Sequence, residues 1–143
     1  QRMSAGTGVR HSEYNHSDTD PVHFLQIWIV PEADGISPSY EQKAFPEDGR
    51  RDALRLIGSR DGRDGSVTIH QDVDLYASLL TADRSLAFDI RPGRKVWLQL
   101  VKGKISVNDQ PLSAGDGLGL LQTGAISLTA SENAEFLLFD LAA

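Results

Sequence analysis

The sequence predicts an all-β fold of the jelly-roll kind, on three observations. From Ser66 to Leu141, short apolar or alternating runs follow one another at close spacing; turn residues separate them; and no stretch holds a convincing helical period. The predicted strands are Ser66–Gln71, Leu75–Leu80, Ser85–Ile90, Val96–Val101, Lys104–Val107, Gly117–Leu121, Ala125–Thr129 and Glu135–Leu141. Between them stand Asp83-Arg84, Pro92-Gly93, Lys102-Gly103, Asn108-Asp109, Gly115-Asp116-Gly117 and Ser131-Glu132-Asn133, residues that tolerate or pre-set turn dihedrals. A short helix at Tyr40–Phe45 or at Leu75–Leu80 is compatible with this pattern.

The first half of the chain reads differently. Val22–Val30 is rich in β-branched and aromatic residues and predicts a buried strand stopped by Pro31. From Pro31 to Asp64 prolines, glycines and charges dominate, which predicts an irregular connector with room for one strand at the apolar patch Leu54–Ile57. Within it, Arg60-Asp61-Gly62 and Arg63-Asp64-Gly65 are near-copies with Asp-Gly turn chemistry. Gln1 abuts a strand-like pattern with no Met before it, which predicts a fragment whose start lies upstream.

Composition narrows the function classes. At 143 residues the ceiling is one complete domain plus a fragment. A hydrophobic share of 40% with 24% charged residues is that of a globular protein. The apolar runs are strand-sized and predict no membrane span. A net charge of −6 leaves no excess of Lys and Arg to neutralise phosphates, so no direct nucleic-acid binding is expected. The absence of cysteine excludes disulfides and thiolate ligands, and is in keeping with a reducing, cytoplasmic compartment. Any metal must then be held by His and carboxylate.

One such pair stands out. After the glycine turn Ser4-Ala5-Gly6-Thr7-Gly8, His11 and Glu13 are two residues apart, and on a strand period-two alternation would send both to one face. The other histidines read blandly: His16 as an exposed loop residue beside the turn formers Asp18 and Asp20, His23 as a surface or edge position, and His70 as a hydrogen-bonded structural histidine. Trp28 and Trp97 read as core or inter-domain packing. Arg91-Pro92-Gly93-Arg94-Lys95 reads as a hairpin turn with solvated charges.

An internal repeat sharpens this. Ser4-Ala5-Gly6-Thr7-Gly8 recurs as Ser113-Ala114-Gly115-Asp116-Gly117, and each copy is followed by an apolar closing strand, at Val22–Ile27 and at Ala134–Phe139. Two copies of one β-fold are implied, the second complete and the first represented by its tail. Aligned without a gap, Leu120 stands where His11 is and Gln122 where Glu13 is. The complete copy therefore lacks the candidate ligands.

Met3–Asn15, Leu25-Gln26-Ile27-Trp28-Ile29-Val30-Pro31, Tyr40-Glu41-Gln42, Ser59–Gly62, Gly65–Asp72, Asn108–Gly117 and Leu137–Leu141 together resemble the pirin-like bicupins, in particular the bacterial members described as quercetin 2,3-dioxygenases. The resemblance covers nearly the whole chain. It implies residues 1–31 as the C-terminal part of a truncated N-terminal cupin, 32–65 as connector, and 66–143 as a C-terminal cupin without a metal site. It also implies a single metal, usually iron, held in the first cupin by three histidines and one glutamate. His11 and Glu13 match the third histidine and the glutamate; the His-x-His pair of the other two is absent from this chain. The implied ligands of the intact parent are a flavonol and dioxygen, with non-enzymatic regulation of a protein partner as the alternative. Two protein ligands fall short of the facial set of three that non-haem iron needs, so the 143-residue piece is expected to hold no metal and to be inactive. Its orphan strands are expected to pack on the intact domain or to pair in a strand-swapped or edge-paired homodimer.

Overall fold

The computed structural model describes all residues from Gln1 to Ala143. Its strands are β1 (Arg2–Ser4), β2 (Ser39–Glu41), β3 (Arg55–Ser59), β4 (Val67–Thr68), β5 (Val73–Leu80), β6 (Ser85–Ile90), β7 (Arg94–Lys102), β8 (Lys104–Val107), β9 (Gln110–Ser113), β10 (Gly117–Leu120), β11 (Gly124–Ala130) and β12 (Ala134–Ala142). A six-stranded sheet in the order β10-β7-β12-β5-β3-β4 faces a four-stranded one in the order β6-β11-β8-β9, and β1 and β2 pair separately. This is the expected all-β jelly roll. The only helical elements are single 3-10 turns at Glu47–Gly49 and Arg63–Gly65, so neither Tyr40–Phe45 nor Leu75–Leu80 is a helix.

Alternation writes the core. Along β12, Ala134, Phe136, Leu138 and Asp140 are buried while the residues between them are half-exposed. Phe136 and Leu138 join Leu98, Leu100, Ile105, Val107, Ile126 and Leu128 in one cluster between the sheets. That cluster packs the inside of the barrel with apolar side chains. The turns obey the chemistry read from the sequence: Asn108 and Asp109 both take positive φ between β8 and β9, as a tight hairpin requires. Gly103, at φ 80°, joins β7 to β8, and a Cβ there would lie 2.2 Å from the carbonyl oxygen of Asn133.

Several elements differ from expectation. β9 was not predicted; its Pro111 is tolerated because β9 is the edge of its sheet. β3 lies at the apolar patch Leu54–Ile57 for which one connector strand was expected, and it pairs with β5 in the main sheet and buries Leu56. The strand expected at Ser66–Gln71 shrinks to Val67–Thr68, and the His70 side chain makes no hydrogen bond; its carbonyl instead accepts from the N–H of Glu32.

The largest difference is at Val22–Val30, which is neither a strand nor buried. Residues 22 to 29 take part in no backbone–backbone hydrogen bond, and Phe24, Leu25, Trp28 and Val30 are exposed. β composition alone makes no strand; a neighbouring strand must accept from its N–H groups and donate to its C=O groups, and here only the Val30 carbonyl is met, by the side-chain amide of Gln71 at 2.9 Å. Only Ile29 packs against the domain, on a cluster built around Ile69, Val73 and Leu75. Trp28 is 91% exposed and Trp97 is 43% exposed, so neither is in the core. The Trp97 ring covers Gly117 and Gly119 of the neighbouring strand so closely that a Cβ on Gly117 would approach it to 2.2 Å.

Candidate functional site: an open ligand pair and a closed barrel mouth

His11 and Glu13 lie in an irregular run after the turn Ala5–Gly8, and both are exposed. No ladder fixes their relative facing, in contrast to the strand on which their spacing was read. His11 makes no side-chain hydrogen bond; Glu13 accepts one, at Oε2 from Gln26 Nε2 at 3.3 Å, and its Oε1 has no partner. Imidazole and carboxylate are donors that divalent transition metals accept, so the pair fits as part of a coordination set. No third His, Cys, Asp or Glu joins it: the chain holds no group of three or more such residues placed for a metal. His16 and His23 are exposed nearby in sequence and do not complete it.

The C-terminal barrel holds its own carboxylates differently. Leu120 pairs with Val96, Val96 with Asp140, and Asp140 with Asp74, so these four form one row across β10, β7, β12 and β5 on the barrel's inner face. Leu120, at the repeat position of His11, thus shares its row with two buried carboxylates. Arg94 meets Asp140: its Nε donates to Asp140 Oδ1 at 2.7 Å, one terminal nitrogen donates to the Asp140 carbonyl at 2.8 Å, and the other reaches the more exposed Asp72 at 2.7 Å. Arg91 adds a bond to Asp140 Oδ2 at 3.0 Å, and Arg63 binds Asp74 and Asp61.

Electrostatics follow this geometry. The Arg63 guanidinium is held above its ordinary range, first by its hydrogen bond to Asp74. Burial pulls Arg94 down, and hydrogen bonds to Asp140 and Asp72 more than offset it. Desolvation raises the Tyr76 phenol, whose ring packs edge-on against Phe88 at 5.7 Å between centroids. Beside the row a polar cleft of about 600 Å³ is lined by Arg60, Arg63, Arg91 and Arg94 with Asp61, Asp72 and Asp74. Every one of those carboxylates is already engaged by an arginine or a backbone N–H.

Sequence reasoning missed this cluster and read Arg94 as solvated, whereas its side chain is only 13% exposed. A clue was present: Asp140 shares the parity of Phe136 and Leu138 on β12, and Asp74 that of Ser78 and Leu80 on β5. A charge in phase with a buried face calls for an opposite charge from elsewhere in the fold.

The known proteins fall in line with this architecture. Residues 56–141 match the family model described as the quercetinase C-terminal cupin domain, and residues 1–29 match that described as pirin. The chain is 47% identical over 99% of its length to a quercetin 2,3-dioxygenase of Escherichia coli K12, covering 60% of that protein. It is 34% identical to a pirin-like protein of Caulobacter vibrioides, covering 61% of it. Among solved structures it is similar to YhhW from Escherichia coli, with a TM-score of 0.89 and 47% identity over 97% of this chain and 58% of that one. A second structure of that bacterial pirin, in complex with nickel(II), agrees at TM-score 0.89 and 46% identity over 98% of this chain and 59% of that one. The chain spans about three fifths of the length of the relatives it matches. The chain therefore belongs to the pirin family, with a quercetinase-type C-terminal cupin built by residues 56–141.

Proposed function

We propose that this chain is part of a pirin-type flavonol 2,3-dioxygenase, to which it contributes two metal ligands and a metal-free sister barrel. The observation that carries the reading is the contrast within the repeat: His11 and Glu13 stand open, while Leu120 and the arginine-bound Asp140 close the equivalent place in the second copy. The similarity to a protein named quercetin 2,3-dioxygenase, over 99% of this chain, supports it. Residues 1–31 are then the tail of the first cupin and 32–65 the passage to the second, with β3 joining the second barrel's sheet.

In this reading His11 and Glu13 would supply an imidazole and a carboxylate to hold a divalent metal, iron or another, which when bound would serve as a Lewis acid bringing a flavonol and dioxygen together. The remaining ligands come from outside these residues. The flavonol then belongs to the first cupin; the interior of the second is occupied by Phe136, Leu138 and their core neighbours. By itself the 143-residue chain is inactive. The test is bleaching of quercetin by the purified chain with added Fe(II) or Ni(II): no turnover is expected, and turnover above the metal-only blank overturns the assignment.

A second reading keeps one observation of its own. Phe24, Leu25, Trp28 and Val30 are exposed, and residues 22 to 29 make no backbone–backbone hydrogen bond, which suits strand pairing with another polypeptide, including a second copy of this chain or a regulatory partner. Light scattering separates the cases, because a monomer whose first thirty residues are cut readily by protease excludes the dimer.

A further inference from the structure

The run that carries Glu13 and the run that carries Gln26 are turned back on one another by side chains. Asn15 Oδ1 accepts from the N–H of Ser17 at 3.2 Å, and Asn15 Nδ2 donates to the carbonyl of Asp20 at 2.6 Å. Ser17 Oγ accepts from the N–H groups of Asp20 at 2.9 Å and Thr19 at 3.3 Å. Short polar side chains that bond backbone groups two or three residues away are the ordinary means of reversing a chain. The reversal brings Gln26 Nε2 to Glu13 Oε2, and this is the sole side-chain hydrogen bond between the two runs. No backbone ladder joins them, and Glu13 has no other hydrogen bond to its carboxylate.

We infer that Gln26 is the positioning residue of Glu13: its amide holds one carboxylate oxygen and presents the other, Oε1, as a single metal donor. The inference rests on the reading of His11 and Glu13 as ligands and adds the group that orients one of them. The residue type follows from the task. A ligating carboxylate is helped by a neutral donor on its second oxygen, which restricts its rotamers and favours one-oxygen coordination without removing negative charge. A lysine or arginine would compete with the metal for the carboxylate, a glutamate would repel it, and asparagine is one methylene too short. Gln26 also lies between the exposed Phe24 and Trp28, two residues to either side, where no other polar group of the chain competes for its amide.

The experiment is Ni(II) affinity, measured by competition with a chromophoric chelator, together with the ligand-field absorption of the bound metal. It uses the full-length protein that carries this chain, as wild type, Gln26→Leu, Gln26→Asn and Glu13→Gln. Gln26→Leu keeps the bulk and loses the donor; it is expected to weaken Ni(II) binding roughly 10- to 100-fold and to shift the ligand-field bands. Gln26→Asn should follow it, and melting of the metal-free protein should be unchanged, because the contact is exposed. If Glu13→Gln weakens binding and Gln26→Leu stays within twofold of wild type with the same spectrum, the positioning role is wrong and the ligand reading stands. If Glu13→Gln leaves affinity unchanged, both are overturned.

Discussion

Two regions of the chain, related in sequence by a short repeat, treat their carboxylates in opposite ways. In the first, His11 and Glu13 are exposed, bonded to little, and carried on backbone that pairs with nothing. In the second, the row Leu120–Val96–Asp140–Asp74 is held in a six-stranded sheet, and its carboxylates already have cations in Arg94, Arg91 and Arg63. A buried carboxylate needs a counter-charge, and a fold can supply it from a metal or from its own guanidinium. The second barrel has taken the latter course.

The largest effect that bears on this contrast is at Arg94. Replacing it by Met keeps much of the apolar stem but leaves Asp140, 3% exposed at its side chain, with only the outer contact from Arg91. Breaking a buried pair from one side costs about 3–5 kcal/mol, well beyond a surface change. His11→Ala and Glu13→Gln, on the exposed run, should each stay within about 0.5 kcal/mol. Urea denaturation of the three variants measures the difference. Equal midpoints for all three would mean that the arginine cluster is as dispensable as the open pair.

The C-terminal barrel was legible because its signals are local. Alternation along β6 and along Glu135–Leu141, Asn108-Asp109 between β8 and β9, and Lys102-Gly103 between β7 and β8 each state their structure within a few residues. The His11 and Glu13 pair is a candidate that rests on its spacing and on the family resemblance, and the fold adds no third ligand to it. Two things were not legible, for one reason. Val22–Val30 has the composition of a strand but needs a partner strand that this chain does not provide. The Arg94–Asp140 pair joins residues 46 apart, which become neighbours only once β7 and β12 are in register. Propensity reads a residue's own preference, whereas both of these depend on what stands opposite.

A smaller effect sharpens the comparison from the other side. Restoring the ligand types to the second copy, with Leu120→His and Gln122→Glu, tests whether residue identity alone makes the site. Leu120 is half-buried against the core cluster, so its loss should cost about 1–2 kcal/mol. The imidazole would arrive in a row already served by Arg94, where another cation is not needed. Ni(II) is therefore expected to give no saturable rise in melting temperature for the double variant. Such a rise would show that the arginines yield to a metal, and that the second barrel differs from the first by only two residues.

The smallest effect concerns the clasp between the two regions. Glu41, at the end of β2, accepts the backbone N–H of Thr68 in β4 at 2.8 Å, and ion pairs with Lys43 at 2.9 Å and with Arg2 of β1 at 3.3 Å. The Thr68 N–H above all, then Lys43 and Arg2, hold its carboxyl down from 4.5 to about 2 against the opposing effect of burial. A carboxyl whose folded pKa is depressed adds stability that is fully present above its unfolded pKa and is lost as pH falls through the folded one. The clasp should thus weaken between pH 4.5 and about 2. Because Glu41 is partly open to solvent, screening leaves on the order of 1 kcal/mol of this. The first forty residues should then become more protease-sensitive as pH drops through that window, to an acid-stable protease, while the barrel stays folded. Glu41→Gln should show the acid level of sensitivity at every pH. If it instead retains the wild-type pH dependence, the β1–β2 pair is tied to the barrel by some other contact, and the two regions are coupled more tightly than one carboxylate allows.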